Sequence, residues 1–231
     1  KAQISWQQQD WSAHQMWSDK AQALFSVNHE LSMEADKLFY LGSPSNSGLE
    51  KSPENDLQAN QSRLLKALNF YQQLNDQSMI AASQFSIAQN YTFTLDVREK
   101  SLKQALSIYR QLQHPYELAM TLIYAGFFQM QLHDGITASR YFSEAKKIAI
   151  KLVAKPLVMD SDFYLAFANL DQGLDQRALG SHGTNEEKLL EAIRQLQHFI
   201  ENKPGMIMTA NALVFLGWAN TELGHFDLAL Q

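Results

Sequence analysis

The chain has 231 residues, 45% hydrophobic and 19% charged, enough apolar material for one large packed domain or two small ones and too much for wholesale disorder. Its net charge of −5 and pI near 5.8, with no Lys/Arg run, leave no electrostatic footprint for nucleic acid or anionic lipid. Cysteine is absent, which excludes disulfides, thiol nucleophiles and Cys-based metal sites and fits a bacterial or exported protein.

With only 10 Gly and 5 Pro, and with Leu, Ala, Gln and Lys outweighing the β-branched residues, the composition favours helix over sheet. No stretch approaches the roughly 18 apolar residues of a membrane span, so membrane insertion is not expected. No signal peptide is visible, and removal of an earlier start is an open alternative for a chain that opens on Lys1, so the compartment, cytoplasmic or exported, is left open. Charge is uneven: residues 1–60 carry four Lys against eight acids, and the remainder is close to neutral.

In chain order, residues 1–59 read as N-terminal capping helices and a loop. Helices are predicted over 8–28 and 32–41, forming an atypical hairpin. Trp17, Ala21, Leu24 and Asn28 share a helical face, placing Trp17 in the core, while Trp6 and Trp11 are read as cap packing, with contact to preceding sequence or a partner as the alternative. "GSPSNSGLEKSPEND" (Gly42–Asp56) is a Ser/Pro/Gly/Asn loop, read as mobile.

From residue 60 onward the sequence repeats itself. "KALNFYQQLNDQ" (Lys66–Gln77) is echoed by "QALSIYRQLQHP" (Gln104–Pro115), with Ala67 and Ala105 38 residues apart and Ala145 a further 40 along. Such periods belong to helical-hairpin repeats. Helices are predicted over 60–74, 77–92, 97–112, 115–132, 135–153, 157–174, 185–202, 205–223 and from 226 on. The stretch "RALGSHGTNE" (Arg177–Glu186) reads as an inserted linker with Thr184 or Asn185 as N-cap. The closing "NALVFLGWANTELGHFDLALQ" reads as a complete helix, a turn at Leu223-Gly224-His225, and the start of a second helix. The repeat array 60–231 is therefore read as truncated within its last repeat, part of a longer array.

Spacing inside the units is more specific. Leu213, Leu216, Gly217, Gly224, Phe226 and Ala229 form one set; Leu122, Gly126, Ala138, Phe142 and Ala145 form another. This pattern resembles the tetratricopeptide repeat (TPR) family, in which Gly or Ala lets the first helix of each pair approach the second. Ser86 and Ala166 occupy the Gly position of other units. Gln89, Gln129, Asn169 and Asn220 stand where the family usually has Tyr. The resemblance implies an all-α fold, a right-handed superhelix of TPR-like helical hairpins (an α–α solenoid), and leaves function open, because one fold serves many roles.

It also implies which side chains face inward. One row is Ile87, Phe127, Phe167, Trp218; beside it lie Ile123, Phe163 and Val214, with Met120, Met130 and Leu170 flanking. Family members that grip a C-terminal carboxylate place Lys or Arg on these rows, and none is present here. The reading is a concave apolar groove that binds a peptide or amphipathic helix, a protein-interaction scaffold. The competing account is that these side chains simply pack between neighbouring helices. A second function class is a regulatory or sensory segment of a larger multidomain bacterial protein, binding a small effector or a neighbouring domain. An enzyme is not expected. The seven His show no zinc spacing, and Gly180-Ser181-His182-Gly183 has no third group to hold a base. Lys146, Lys147, Lys151 and Lys155 read as a solvated face. No cofactor is expected; the partner is a protein or peptide, with homo-oligomerisation through the C-terminal end a further expectation.

Overall fold

In the computed structural model, residues 11–43, 57–178, 182–202 and 205–229 are described. Trp6, most of the Gly42–Asp56 loop and Ser181 lie outside them. Every regular element among these residues is a helix: α1 Trp11–Gly42, α2 Leu57–Leu74, α3 Gln77–Gln89, α4 Leu95–Leu112, α5 Pro115–Gln131, α6 Gly135–Lys151, α7 Lys155–Ala178, α8 His182–Glu201, α9 Met206–Glu222 and the short α10 Phe226–Ala229. None is long and apolar enough to cross a membrane. The chain divides into two compact units, with the boundary inside α4 between Ile108 and Tyr109.

Two boundaries differ from the sequence expectation. The N-terminal hairpin is one continuous helix, α1. Between Asn28 and Ser32 there is neither Gly nor Pro to interrupt it, and polar residues alone do not break a helix. Leu24 is 65% exposed and is not a core position; the side chains of Trp11 and Trp17 lie outside the described residues. The Arg177–Glu186 insertion is also largely absorbed: α7 runs on to Ala178 and α8 starts at His182, which puts Thr184 and Asn185 inside α8 instead of at its cap.

In the first unit α1 packs on α2 and α2 on α3. The core joins Ala35 of α1 to Leu64, Ala67, Leu68 and Tyr71 of α2, Ile80 and Ile87 of α3, and Phe93. Tyr71 is 1% exposed, so its hydroxyl needs a partner, and it donates to Asp36 Oδ1 at 2.7 Å. Burial, reinforced by that acidic partner, pushes the Tyr71 phenol well above its ordinary range. Asp76 opens α3 by accepting from Met79 N–H. At the other end Arg98, 5% exposed, donates to the Ala88 carbonyl at 2.8 Å and lies 4.0 Å from the centre of the Tyr91 ring. A buried guanidinium thus satisfies a carbonyl in the last turn of α3.

In the second unit consecutive helices α5 to α10 pack in turn, and alternate helices also touch: α5 on α7, α7 on α9. Gly126 shows why a small residue is required in the first of these. A Cβ there would sit 2.4–2.7 Å from the ring of the fully buried Phe142. Ala166, at the corresponding place in α7, is fully buried. Gly217 is looser, its nearest neighbour being the Ala229 carbonyl at 3.5 Å.

Five helix ends share one turn. Asn75, Gln113, His133, Val153 and Gly224 all have φ between 54° and 77°. In each case the next N–H bonds five residues back: Asp76 to Tyr71, His114 to Tyr109, Asp134 to Gln129, Ala154 to Ala149 and His225 to Asn220. That left-handed residue and its bond reverse the chain within two or three residues. The turn expected at Gly224 is one of the set.

Candidate functional site

The second unit holds nine of the ten residues expected to line a groove. They lie on alternate helices: Met120, Ile123, Phe127 and Met130 on α5, Phe163, Phe167 and Leu170 on α7, Val214 and Trp218 on α9. Ile87 belongs to the first unit and is 2% exposed within its core.

The nine do not share one environment. Met130, Phe163 and Leu170 are 7%, 6% and 0% exposed, so they join Ile87 as core residues and not as wall. Met130 packs with Ala138 and Phe142, Phe163 with Leu196 and Phe199, and Leu170 with Leu189 and Ala192. The reason is register: each points sideways at the neighbouring second helix, so its burial was fixed by the hairpin itself. Ile123, Phe127 and Phe167 are half-buried. Met120, Val214 and Trp218 are open, at 40%, 52% and 53% exposure.

Rings connect the half-buried residues across the three helices. Phe127 of α5 meets Tyr164 of α7 with centroids 6.2 Å apart, edge to face, and touches Tyr124 on its own helix. Tyr164 stacks on Phe142 at 5.4 Å and abuts Phe163. Phe163 and Phe167 both stack on Phe215 of α9, at 5.6 and 4.6 Å, and Phe215 meets Trp218 at 5.7 Å. Edge-to-face and offset pairs of this kind fix ring orientation beyond simple burial. Sequence reasoning missed the two linking rings, Tyr164 and Phe215, because each lies one position away from the inward row; their spacing of one to three residues from Phe163, Phe167 and Trp218 was the available signal.

Polar groups at the edges of this strip are mostly engaged. Asn169 donates to Gln195 Oε1 at 2.9 Å and accepts from Lys188. Gln172, 9% exposed, reaches from α7 to the Gly135 carbonyl and Ser139 Oγ of α6, both at 2.9 Å. Lys146 is not merely solvated: it pairs with Asp162 at 2.6 Å. Asp160 differs. It is half-buried and makes no hydrogen bond or ion pair with any described residue, and burial raises its carboxyl above the usual range. Burial, then the Asp160 charge, raises Tyr164.

A separate cleft of about 520 Å³ opens at the turn between α6 and α7 against the end of α8, lined by Ile150, Val153, Val158, Met159, His198 and Asn202 among others. Neither Phe127 nor Phe167 lines it. Among the described residues no group of three or more His, Asp or Glu is placed to hold a metal ion.

The arrangement can offer a guest an apolar and aromatic surface with one unpaired carboxylate; no nucleophile–base pair is drawn together on it. Comparison with known proteins finds no family model that matches the chain and no curated protein similar to it.

Proposed function

We propose that this chain is a TPR-like helical-hairpin solenoid that acts as a protein-interaction module, receiving a peptide or amphipathic helix on the strip formed by α5, α7 and α9. The role is binding, not catalysis. The observation that carries the reading is the exposure of Trp218, Val214 and Met120 beside rings already held in place: Trp218 is 53% exposed while its neighbour Phe215 is stacked on Phe167. Large aromatic side chains that are anchored at one edge and open at the other lose little entropy when a partner covers them. The contacts of α5 with α7 and α7 with α9, and the recurrent turn at Gln113, His133 and Val153 with its 20-residue spacing, support the solenoid.

Selection of a displayed random peptide library against the full chain tests it. Selected peptides should lose about 10-fold or more in affinity to Trp218→Ala, since aromatic anchors contribute about 2 kcal/mol on truncation. Phe127 and Phe167 are poorer probes, because their half-buried rings also hold helices together. Failure to select any peptide, or selection of peptides indifferent to Trp218→Ala and Val214→Ala, would overturn the reading.

A further inference from the structure

A groove of rings alone would accept any apolar segment, but Asp160 adds a sign. On a helix of 3.6 residues per turn Asp160, Tyr164 and Phe167 form one stripe of α7. Tyr164, one turn on, meets Phe127 of α5. Phe163, on the adjoining edge, and Phe167 both meet Phe215 of α9. Asp160 therefore lies on the part of α7 that faces between α5 and α9, at the N-terminal end of the ring strip. The acid on the opposite side of the helix, Asp162, already has Lys146.

A half-buried carboxylate with no partner among the described residues is an unusual thing to keep. Water covers part of it, yet the surrounding apolar groups disfavour its charge. No Lys or Arg stands on the inward positions of α5, α7 or α9 to neutralise it. The adjoining surface is aromatic, and the negative face of a ring attracts a cation that is also held by a carboxylate. The second unit, residues 109–231, carries 13 acids against 10 Lys/Arg, and this net charge of −3 favours a basic guest at longer range.

Building on the groove reading above, we infer that the segment received there is cationic at one position, and that an Arg or Lys of the partner pairs with Asp160 while its stem lies along Tyr164. The rest of that segment covers Val214 and Trp218 with apolar side chains. Asp160 gives the strip selectivity for basic amphipathic peptides over neutral or acidic ones.

The test uses peptides selected from a random twelve-residue library on the full chain, then resynthesised with each Arg replaced by citrulline, or each Lys by norleucine. Binding is read by anisotropy against the wild type and against Asp160→Asn, whose fold is checked by circular dichroism. We expect selected peptides to share one basic position, and its neutral replacement to weaken binding to the wild type about 10-fold or more. The same replacement should matter less than about 2-fold against Asp160→Asn, the mark of a direct pair in a double-mutant cycle. Peptides that need Trp218 but tolerate neutralisation equally in both proteins would overturn the cation while leaving the groove intact. A library that yields no binder at all would remove the groove, and this inference with it.

Discussion

Gly126 and Gly217 occupy equivalent places in the sequence pattern but not in the packing. At Gly126 an added methyl would enter the ring of Phe142, which is fully buried and has nowhere to retreat. Gly126→Ala should therefore lower stability by about 1–3 kcal/mol, as overpacking of a close-packed core does. At Gly217 the same methyl meets only ordinary van der Waals contact at 3.5 Å, and relief of glycine's backbone entropy should raise stability by about 0.5–1 kcal/mol. Urea denaturation of both variants separates the two cases; equal effects would mean the Phe142 contact is not what fixes Gly126. Ser83 is a third test at this scale. It is fully buried, and its hydroxyl has no hydrogen-bond partner among the described residues, so Ser83→Ala should be neutral or stabilising, and a loss above about 1 kcal/mol would show a partner for that oxygen. The sequence pattern made the need for a small residue at Gly126 legible. It did not distinguish Gly217, because a one-letter pattern does not record how far away the facing ring lies.

The helices owe their ends to turns that the sequence conceals. A left-handed residue after a helix is usually Gly or Asn, and Gly224 and Asn75 obey that preference. Gln113, His133 and Val153 do not: the first two fall in the predicted breaks between helices, whereas Val153 was read as the last residue of a helix. Val153 is the most strained of them: a β-branched side chain at φ 54° and 79% exposed, with no packing to repay it. Val153→Gly should raise the stability of the α6–α7 hairpin by about 1 kcal/mol, read as a higher thermal midpoint; an unchanged or lower midpoint would mean that Val153 is held by contacts worth as much as its backbone costs. Helix existence was legible throughout from apolar periodicity. What stayed hidden was the continuity of α1 and the early start of α8, since both depend on polar stretches that tolerate helix without demanding it. Four residues named for the groove, Ile87, Met130, Phe163 and Leu170, are core for a related reason. Periodicity places a side chain on a stripe, but the width of the stripe claimed by the neighbouring second helix depends on how closely the two axes approach.

For the molecule as a whole, alkaline pH is a condition to which its buried tyrosines make it sensitive. Tyr71 in the first unit and Tyr109 and Tyr164 in the second are all raised above the ordinary phenol value, Tyr71 and Tyr109 chiefly by burial and Tyr109 to about 12. A phenol whose folded value lies above its unfolded one keeps its proton longer in the native state, so the unfolded chain holds fewer protons over the interval between them. Stability is therefore unaffected by these groups below pH about 10 and falls as pH rises through the folded values. Both units carry such a tyrosine, so each should lose helix in alkali. Titration followed at once by phenolate absorbance and by circular dichroism should show a late group of tyrosines ionising together with the loss of helix. Tyr71→Phe and Tyr109→Phe should each remove part of that late absorbance, and the double variant should hold its helix to a higher pH than the wild type. It would do so at a cost near neutral pH, because Asp36 loses the hydroxyl that Tyr71 now donates at 2.7 Å. Phenolate signal that rises fully while the helices remain intact would show that these rings reach water without unfolding, and that the interior around Tyr71 and Tyr109 opens more readily than its packing implies.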